Sequence, residues 1–240
     1  MAKSGRLACR CGRVGGALYR VIWVRGRNDR WVCRDIWQHL RVILLVPSDP
    51  LNDRRPDEYY AGDAAAAKEL NWTVGFVDHD ALGAGDANSA VRRMSGTSDR
   101  AVYRGWMIRS EHYAQLEAAL TAKDVRLYTD SEQYRKAHEL PGWYSIFRSH
   151  TAPSVWLTAP GTEGVLELVK TLPPGPAVVK DWVKSMKHYW DEAAYIPDVR
   201  DSDAVMRVAQ RFLELRGDDL VGGIVVRSFE HYEPGEVRSW

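Results

Sequence analysis

The stretch Val178-Val179-Lys180-Asp181-Trp182-Val183-Lys184-Ser185-Met186-Lys187-His188-Tyr189-Trp190-Asp191-Glu192 decides how this chain is read. It opens as an apolar strand, Ala177-Val178-Val179, that ends on a lysine. An ammonium at the end of a buried strand is costly to hold without an anion, so it needs a partner. Lys184, Lys187 and His188 follow within eight residues. Four potential cations at that spacing repel one another unless solvent or a polyanion separates them. A triphosphate would draw them together through charge-assisted hydrogen bonds. Two other readings fit the spacing equally: a solvated basic hairpin balanced by Asp181, Asp191 and Glu192, and a contact to nucleic-acid phosphate aided by Trp182, Tyr189 and Trp190.

Upstream, the pattern is that of an α/β sheet. Val42-Ile43-Leu44-Leu45-Val46 is a continuous apolar run stopped by Pro47-Ser48-Asp49-Pro50, the signature of a buried strand. Asp57 caps an expected helix through Leu70. Trp72 to Val77 reads as a second strand ending at Asp78-His79-Asp80, with a short helix from Asn88 to Met94. Ala101 to Tyr103 is a third strand, entering Arg104-Gly105. Helices capped by Ser110 and Ser131 flank a fourth strand, Val125 to Tyr128. Such alternation predicts βαβ units and a largely parallel sheet. Ligands bind such sheets at the carboxyl ends of the strands, where Ser48, Asp49, Asp78, Asp80 and Arg104 fall.

From Pro141 the texture changes, and prolines break the chain around one expected helix, Thr162 to Leu172. A boundary near 175 follows, giving a domain 41–175 and a region 176–240. In the latter, Asp203 starts a helix to Arg216 that Gly217 ends. Leu220 to Phe229 is an apolar strand run, and Pro234-Gly235 marks a turn before a strand from Glu236. Neither Gly-x4-Gly-Lys-Ser/Thr nor Gly-x-Gly-x-x-Gly after a strand occurs, and Gly83-Ala84-Gly85 reads as a turn. Phosphate binding therefore has to come from strand side chains.

Charge separates residues 1–40 from the rest. They hold nine basic residues against Asp29 and Asp35, a net of +7, while the other 200 residues carry 24 basic and 30 acidic, a net of −6. All three cysteines lie there too, in a spacing unlike a zinc site. A basic arm, a transit peptide and an extension without regular structure are the readings available, and the last is the expectation taken. The −6 balance of 41–240 weighs against nucleic acid. No apolar run approaches the roughly 20 residues that span a bilayer, and a body free of cysteine suits the cytoplasm.

The run VVKDWVKSMKHYWDEAAYIPD at 178–198 resembles the ATP-grasp superfamily, in the clade named for one arginine and two lysines. The likeness extends to GGIVVRSFE at 222–230 and, upstream, to LVPSDPLNDRRPD at 45–57, VDHDAL at 77–82, AVYRGWM at 101–107 and HELPGWY at 138–144. It covers about residues 41–240. The resemblance implies an α/β and α+β fold: an N-terminal parallel-sheet pre-ATP-grasp domain followed by a partial ATP-grasp domain. It implies ATP and Mg²⁺ as cofactors, and the joining of a small-molecule or peptide carboxylate to an amine through an acyl phosphate.

On this resemblance Lys180 reaches the nucleotide phosphates, and Lys184 and Lys187 lie in the phosphate-covering loop. Val225 to Phe229, Val226 among them, is the hinge strand that gives adenine its backbone bonds. Arg227 is the clade's arginine, Glu230 or Glu236 takes the ribose hydroxyls, and His188 orients a carboxylate or the phosphates. Arg104 and Asp49 are the candidates to meet the carboxylate substrate. The family's metal carboxylates, an Asp and a Glu-x-Asn after the hinge, are expected beyond Trp240, so the chain reads as lacking that end. Two rival functions stand beside the ligase: a nucleotide-binding protein without catalysis, and a basic nucleic-acid-binding module.

Overall fold

The computed structural model describes residues 9–14, 17–25, 31–34, 42–96, 100–158 and 161–230. Contacts divide the chain into two units: residues 1–108 with 115–128, and residues 109–114 with 129–240.

In the first unit, β1 (Cys9–Val14), β2 (Ala17–Arg25) and β3 (Trp31–Arg34) form an antiparallel sheet in chain order. The expectation that residues 1–40 lack regular structure is corrected here for these backbones. The run Val21-Ile22-Trp23-Val24 is rich in residues that favour strands, and net charge did not reveal it.

The larger sheet is built on β4 (Val42–Asp49), which pairs in parallel with β6 (Thr73–Val77) on one side and β7 (Arg100–Tyr103) on the other. The strand β8 (Arg126–Leu127) continues in parallel beyond β7. A hairpin strand, β5 (Asn52–Pro56), turns back against the end of β4. Residues Ile43 to Ser48 are all buried, which is why β4 shows no polar alternation. Helix α1 (Ala61–Glu69) packs Ala64 and Ala67 against Leu44, Val46 and Tyr60. Short helices α2 (His79–Gly83) and α3 (Ala87–Ala90) follow β6, each capped by an aspartate: Asp78 accepts from Ala81 N–H and Asp86 from Ser89 N–H. Helix α4 (Ser110–Thr121) leads to β8.

The second unit carries an antiparallel sheet ordered β11-β10-β12-β9, made of β9 (Ser154–Trp156), β10 (Ala177–Lys180), β11 (Tyr195–Ile196) and β12 (Val225–Ser228). The expected boundary near 175 is therefore corrected: β9 lies before it in the chain yet forms an edge of this sheet. Prolines flank β9 without entering it, as suits an edge strand. Pro141 likewise begins a helix, because proline fits the first turn. Helix α5 (Ser131–His138) runs directly into α6 (Leu140–Phe147), and the capping box on α5 is made by Asp130 and Gln133, one residue earlier than the expected Ser131.

The core of this unit lies between one sheet face and α8 (Ser202–Arg216), whose Val205, Val208, Ala209 and Phe212 meet Ala177, Val179, Ile224 and Val226. Helix α7 (Val165–Val169) adds Val165 and Val169 to it and is shorter than the expected Thr162–Leu172. The other sheet face receives Leu140 and Tyr144 of α6 on Val225, with Trp143, Trp156 and Trp182 around them. Two glycines let the chain approach closely before β12. Gly222 has φ +67°, and a Cβ there would lie 2.1 Å from the Trp182 ring. At Gly223 it would lie 1.9 Å from the Leu157 carbonyl oxygen. No helix among the described residues is long and apolar enough to cross a membrane.

Candidate functional site

The alternation of β10 and β12 sorts their side chains. Register pairs Val178 with Arg227, Val179 with Val226 and Lys180 with Val225. Val179 and Val226 therefore point into the α8 core, while Val178, Lys180 and Arg227 share the opposite face. That face opens into a cavity of about 600 Å³ lined by Lys180, Lys187, Arg227, Trp190, Phe229 and Glu230 among others. The rings of Trp190 and Tyr195 stack with centroids 5.3 Å apart, and Phe229 stands edge-on to Trp190 at 5.6 Å. The result is a slot with an aromatic wall on one side and cations on the other.

Lys180 is partly buried and its Nζ donates to the Val183 carbonyl at 3.1 Å. Burial, with Arg227 adding repulsion, holds its ammonium below the ordinary lysine range, and Asp181 works the other way. Arg227 donates from Nη2 to Thr151 Oγ1 at 2.8 Å. Among the described residues neither cation is paired with a carboxylate at salt-bridge distance. Two such cations on one concave face form a receptor for an anion.

Asp181, expected to balance the lysines, does something else. It is fully buried and ion-pairs with Arg216 at 2.8 Å. It also accepts from the backbone N–H groups of Val183 at 2.7 Å and Lys184 at 2.5 Å, and from Val221 N–H at 3.4 Å. The sequence offered a signal for this in Asp-x-Val-Lys, an Asx-turn spacing, but no sign that its partner would be Arg216. Glu192, the other expected counter-charge, pairs with Arg211 of α8 at 3.5 Å.

The remaining expected site residues divide. Lys187 lines the cavity from the rim. Lys184 and His188 are exposed and do not line it, so the four cations are not brought to one point. Val226 is corrected as a source of adenine hydrogen bonds: β12 is an inner strand, paired to β10 on one side and β9 on the other. The next two amides are also taken, Ser228 N–H by the Pro153 carbonyl and Phe229 N–H by the Pro176 carbonyl. Glu236 lies outside the described residues, as do the turn at Pro234-Gly235 and the strand expected after it. His138, at the end of α5, went unnoticed in the sequence. Burial, opposed by Glu139 and assisted by Lys184 and Lys180, keeps its imidazole below its ordinary range.

A Mg²⁺ ion needs several oxygen ligands at short distance. Glu230 is the one carboxylate lining this cavity, and no group of three His, Cys, Asp or Glu side chains occurs among the described residues. The described residues do not compose a magnesium site.

The first unit holds a separate cleft of about 570 Å³ at the carboxyl ends of β4 and β6, lined by Ser48, Asp49, Asp53, Asp78, His79 and Arg92 among others. Asp49 reaches it, but its carboxylate already accepts from Leu51 N–H at 2.8 Å and pairs with Arg55 at 2.7 Å. Arg104 does not line the cleft. Its Nε faces Asp63 at 3.4 Å and its guanidinium lies over the Tyr60 ring, which corrects its expected role at a carboxylate. The arginine at the cleft is Arg92, which bonds Asp53 at 2.7 Å and Asp78 at 3.2 Å.

Residues 168–240 match family 3 of the ATP-grasp domains in the clade named for one arginine and two lysines, so this stretch is an ATP-grasp domain of that clade. Among solved structures, the chain is similar to N5-carboxyaminoimidazole synthetase from Staphylococcus aureus complexed with ADP, at 11% identity and a TM-score of 0.44, covering 79% of this chain and 46% of that one. It is similar to a RimK domain protein ATP-grasp from Sphaerobacter thermophilus DSM 20745 at 14% identity and a TM-score of 0.48, covering 80% and 65%. It is also similar to D-cycloserine synthetase DcsG at 17% identity and a TM-score of 0.46, covering 78% and 58%. The chain thus spans between 46% and 65% of the length of these proteins. No curated protein matches it.

Proposed function

We propose that this chain binds ATP in the cavity behind β10 and β12 and serves a ligase that joins a carboxylate to an amine. The observation that carries the proposal is the placement of Lys180 and Arg227 on one concave face with no carboxylate partner among the described residues. The ATP-grasp match over 168–240 supports a nucleotide as the anion.

In this reading Lys180 and Arg227 hold the phosphate oxygens and neutralise the charge that resists attack on the γ-phosphorus. Lys187 approaches from the rim. The rings of Trp190 and Phe229 offer the base an apolar wall, and Glu230 is placed to accept from ribose hydroxyls. A carboxylate oxygen attacks the γ-phosphorus while the bond to the β-phosphate oxygen breaks, giving an acyl phosphate and ADP. The amine lone pair then attacks the acyl carbon, inorganic phosphate leaves, and the amine releases its proton to water. A small molecule or a peptide supplies the carboxylate.

Isothermal titration with ATP tests the binding step. Lys180→Ala and Arg227→Ala each remove a charge-assisted contact of about 1.5–3 kcal/mol, so each weakens ATP by roughly 10–100-fold. Lys184→Ala, outside the cavity, changes affinity by less than about threefold. Unchanged affinity in both cavity variants would overturn the assignment. ADP release dependent on both a carboxylate and an amine tests the ligase step.

A further inference from the structure

We propose that Asp181 is a positioning residue: clamped by Arg216, it shapes the turn 181–185 so that the Val183 carbonyl holds the Lys180 ammonium at the cavity. The proposal rests on the ATP reading for its consequence, but its geometry stands without any ligand.

Lys180 is the last residue of β10, and the chain reverses at once to bridge Ser185 back onto Lys180. A turn that tight needs its amides satisfied from inside. One oxygen of Asp181 does this, accepting from Val183 and Lys184 N–H, while Asp181 N–H donates to the Lys184 carbonyl at 2.9 Å. The other oxygen faces Arg216, whose Nη2 also donates to the Asp219 carbonyl. Asp181 thus joins three things: the end of β10, the last residue of α8 and the chain entering β12. The product of the turn is the Val183 carbonyl, 3.1 Å from Lys180 Nζ. A lysine side chain is long and flexible, and this carbonyl selects one position for its charge.

The charged groups around Lys180 are Asp181 and Lys184 on its own turn, Arg227 on β12, Lys187 and Glu230 along the cavity, and His138 at the end of α5. Loss of the turn frees Lys180 into solvent and lifts its burial, so its titration moves up to that of an exposed lysine. Loss of a mere nearby negative charge moves it down. The two roles therefore give opposite signs.

The experiment compares acetic-anhydride labelling of Lys180 against pH, read by mass spectrometry, in the full chain. Single variants would leave a buried charge unpaired, so both are made neutral: Asp181→Ala/Arg216→Met and Asp181→Asn/Arg216→Met. Asparagine keeps an oxygen that can accept from Val183 and Lys184 N–H. The expected result is that the alanine pair, folded by circular dichroism, labels at Lys180 like an exposed lysine such as Lys184 and binds ATP at least about tenfold more weakly, while the asparagine pair returns both towards wild type. Labelling at Lys180 that is unchanged or shifted down in the alanine pair overturns the proposal. So does failure of the alanine pair to fold, which would make Asp181 a stability residue alone. If the wild type binds no ATP, the labelling comparison still decides the role of Asp181, and only the ATP reading falls.

Discussion

At the scale of single residues, the strand lysine was legible and its surroundings were not. An apolar run ending in Lys180 announces a half-buried charge. Which neighbours face it depends on register with β12, about 45 residues later in the chain. That is why Lys184 and His188, close in sequence, miss the cavity that Arg227 reaches. The lowered titration of Lys180 gives a testable pH dependence. Phosphate binding needs the ammonium form, and burial favours the neutral one, so ATP affinity falls with rising pH at a point below the ordinary lysine value of 10.5. Titrations of ATP from about pH 7 to about pH 10 should show this decline in wild type. Lys180→Arg, whose guanidinium stays charged, should lose it.

At the scale of elements, the sequence marked strands and helices where period and capping agreed, and erred where proline or pairing intervened. The expected helix from Asp203 appears as α8, ending at Arg216 as expected. Its cap is Asp201, accepting from Ala204 N–H at 3.0 Å. Asp201→Ala should cost about 1 kcal/mol in urea unfolding, the usual loss of an N-cap. Just ahead, Asp198 binds the Arg200 guanidinium and backbone N–H, which hold its carboxyl down to about 2 from 3.8. A lowered folded value means stability that is present above pH 3.8 and is lost as pH falls towards 2. Asp198→Asn should therefore melt below wild type at about pH 6, with the gap closing near pH 2. The hairpin strand β5 and the edge strand β9 were missed because both sit among prolines, which mark turns and sheet edges alike.

At the scale of the whole molecule, each unit has its own core. Leu45 is fully buried in β4 and Phe212 fully buried in α8. Leu45→Ala should cost about 2–5 kcal/mol and Phe212→Ala about 3–5 kcal/mol. Hydrogen exchange should tell them apart. The first change should expose amides of β4, β6 and β7, and the second those of β10, β12 and α8. The parallel sheet was legible because its strands follow one another with helices between. The antiparallel sheet was harder, because its order is not chain order. That order also has a consequence for how the protein is made. β12 lies between β9 and β10, so those two strands cannot pair with each other. Both must wait for the ribosome to deliver β12, which emerges about 70 residues after β9. At about 5–20 residues per second this is a delay of several seconds. During it, Val155 and Val179 are both without their shared partner, and this is the interval in which a nascent chain of this protein most needs a chaperone.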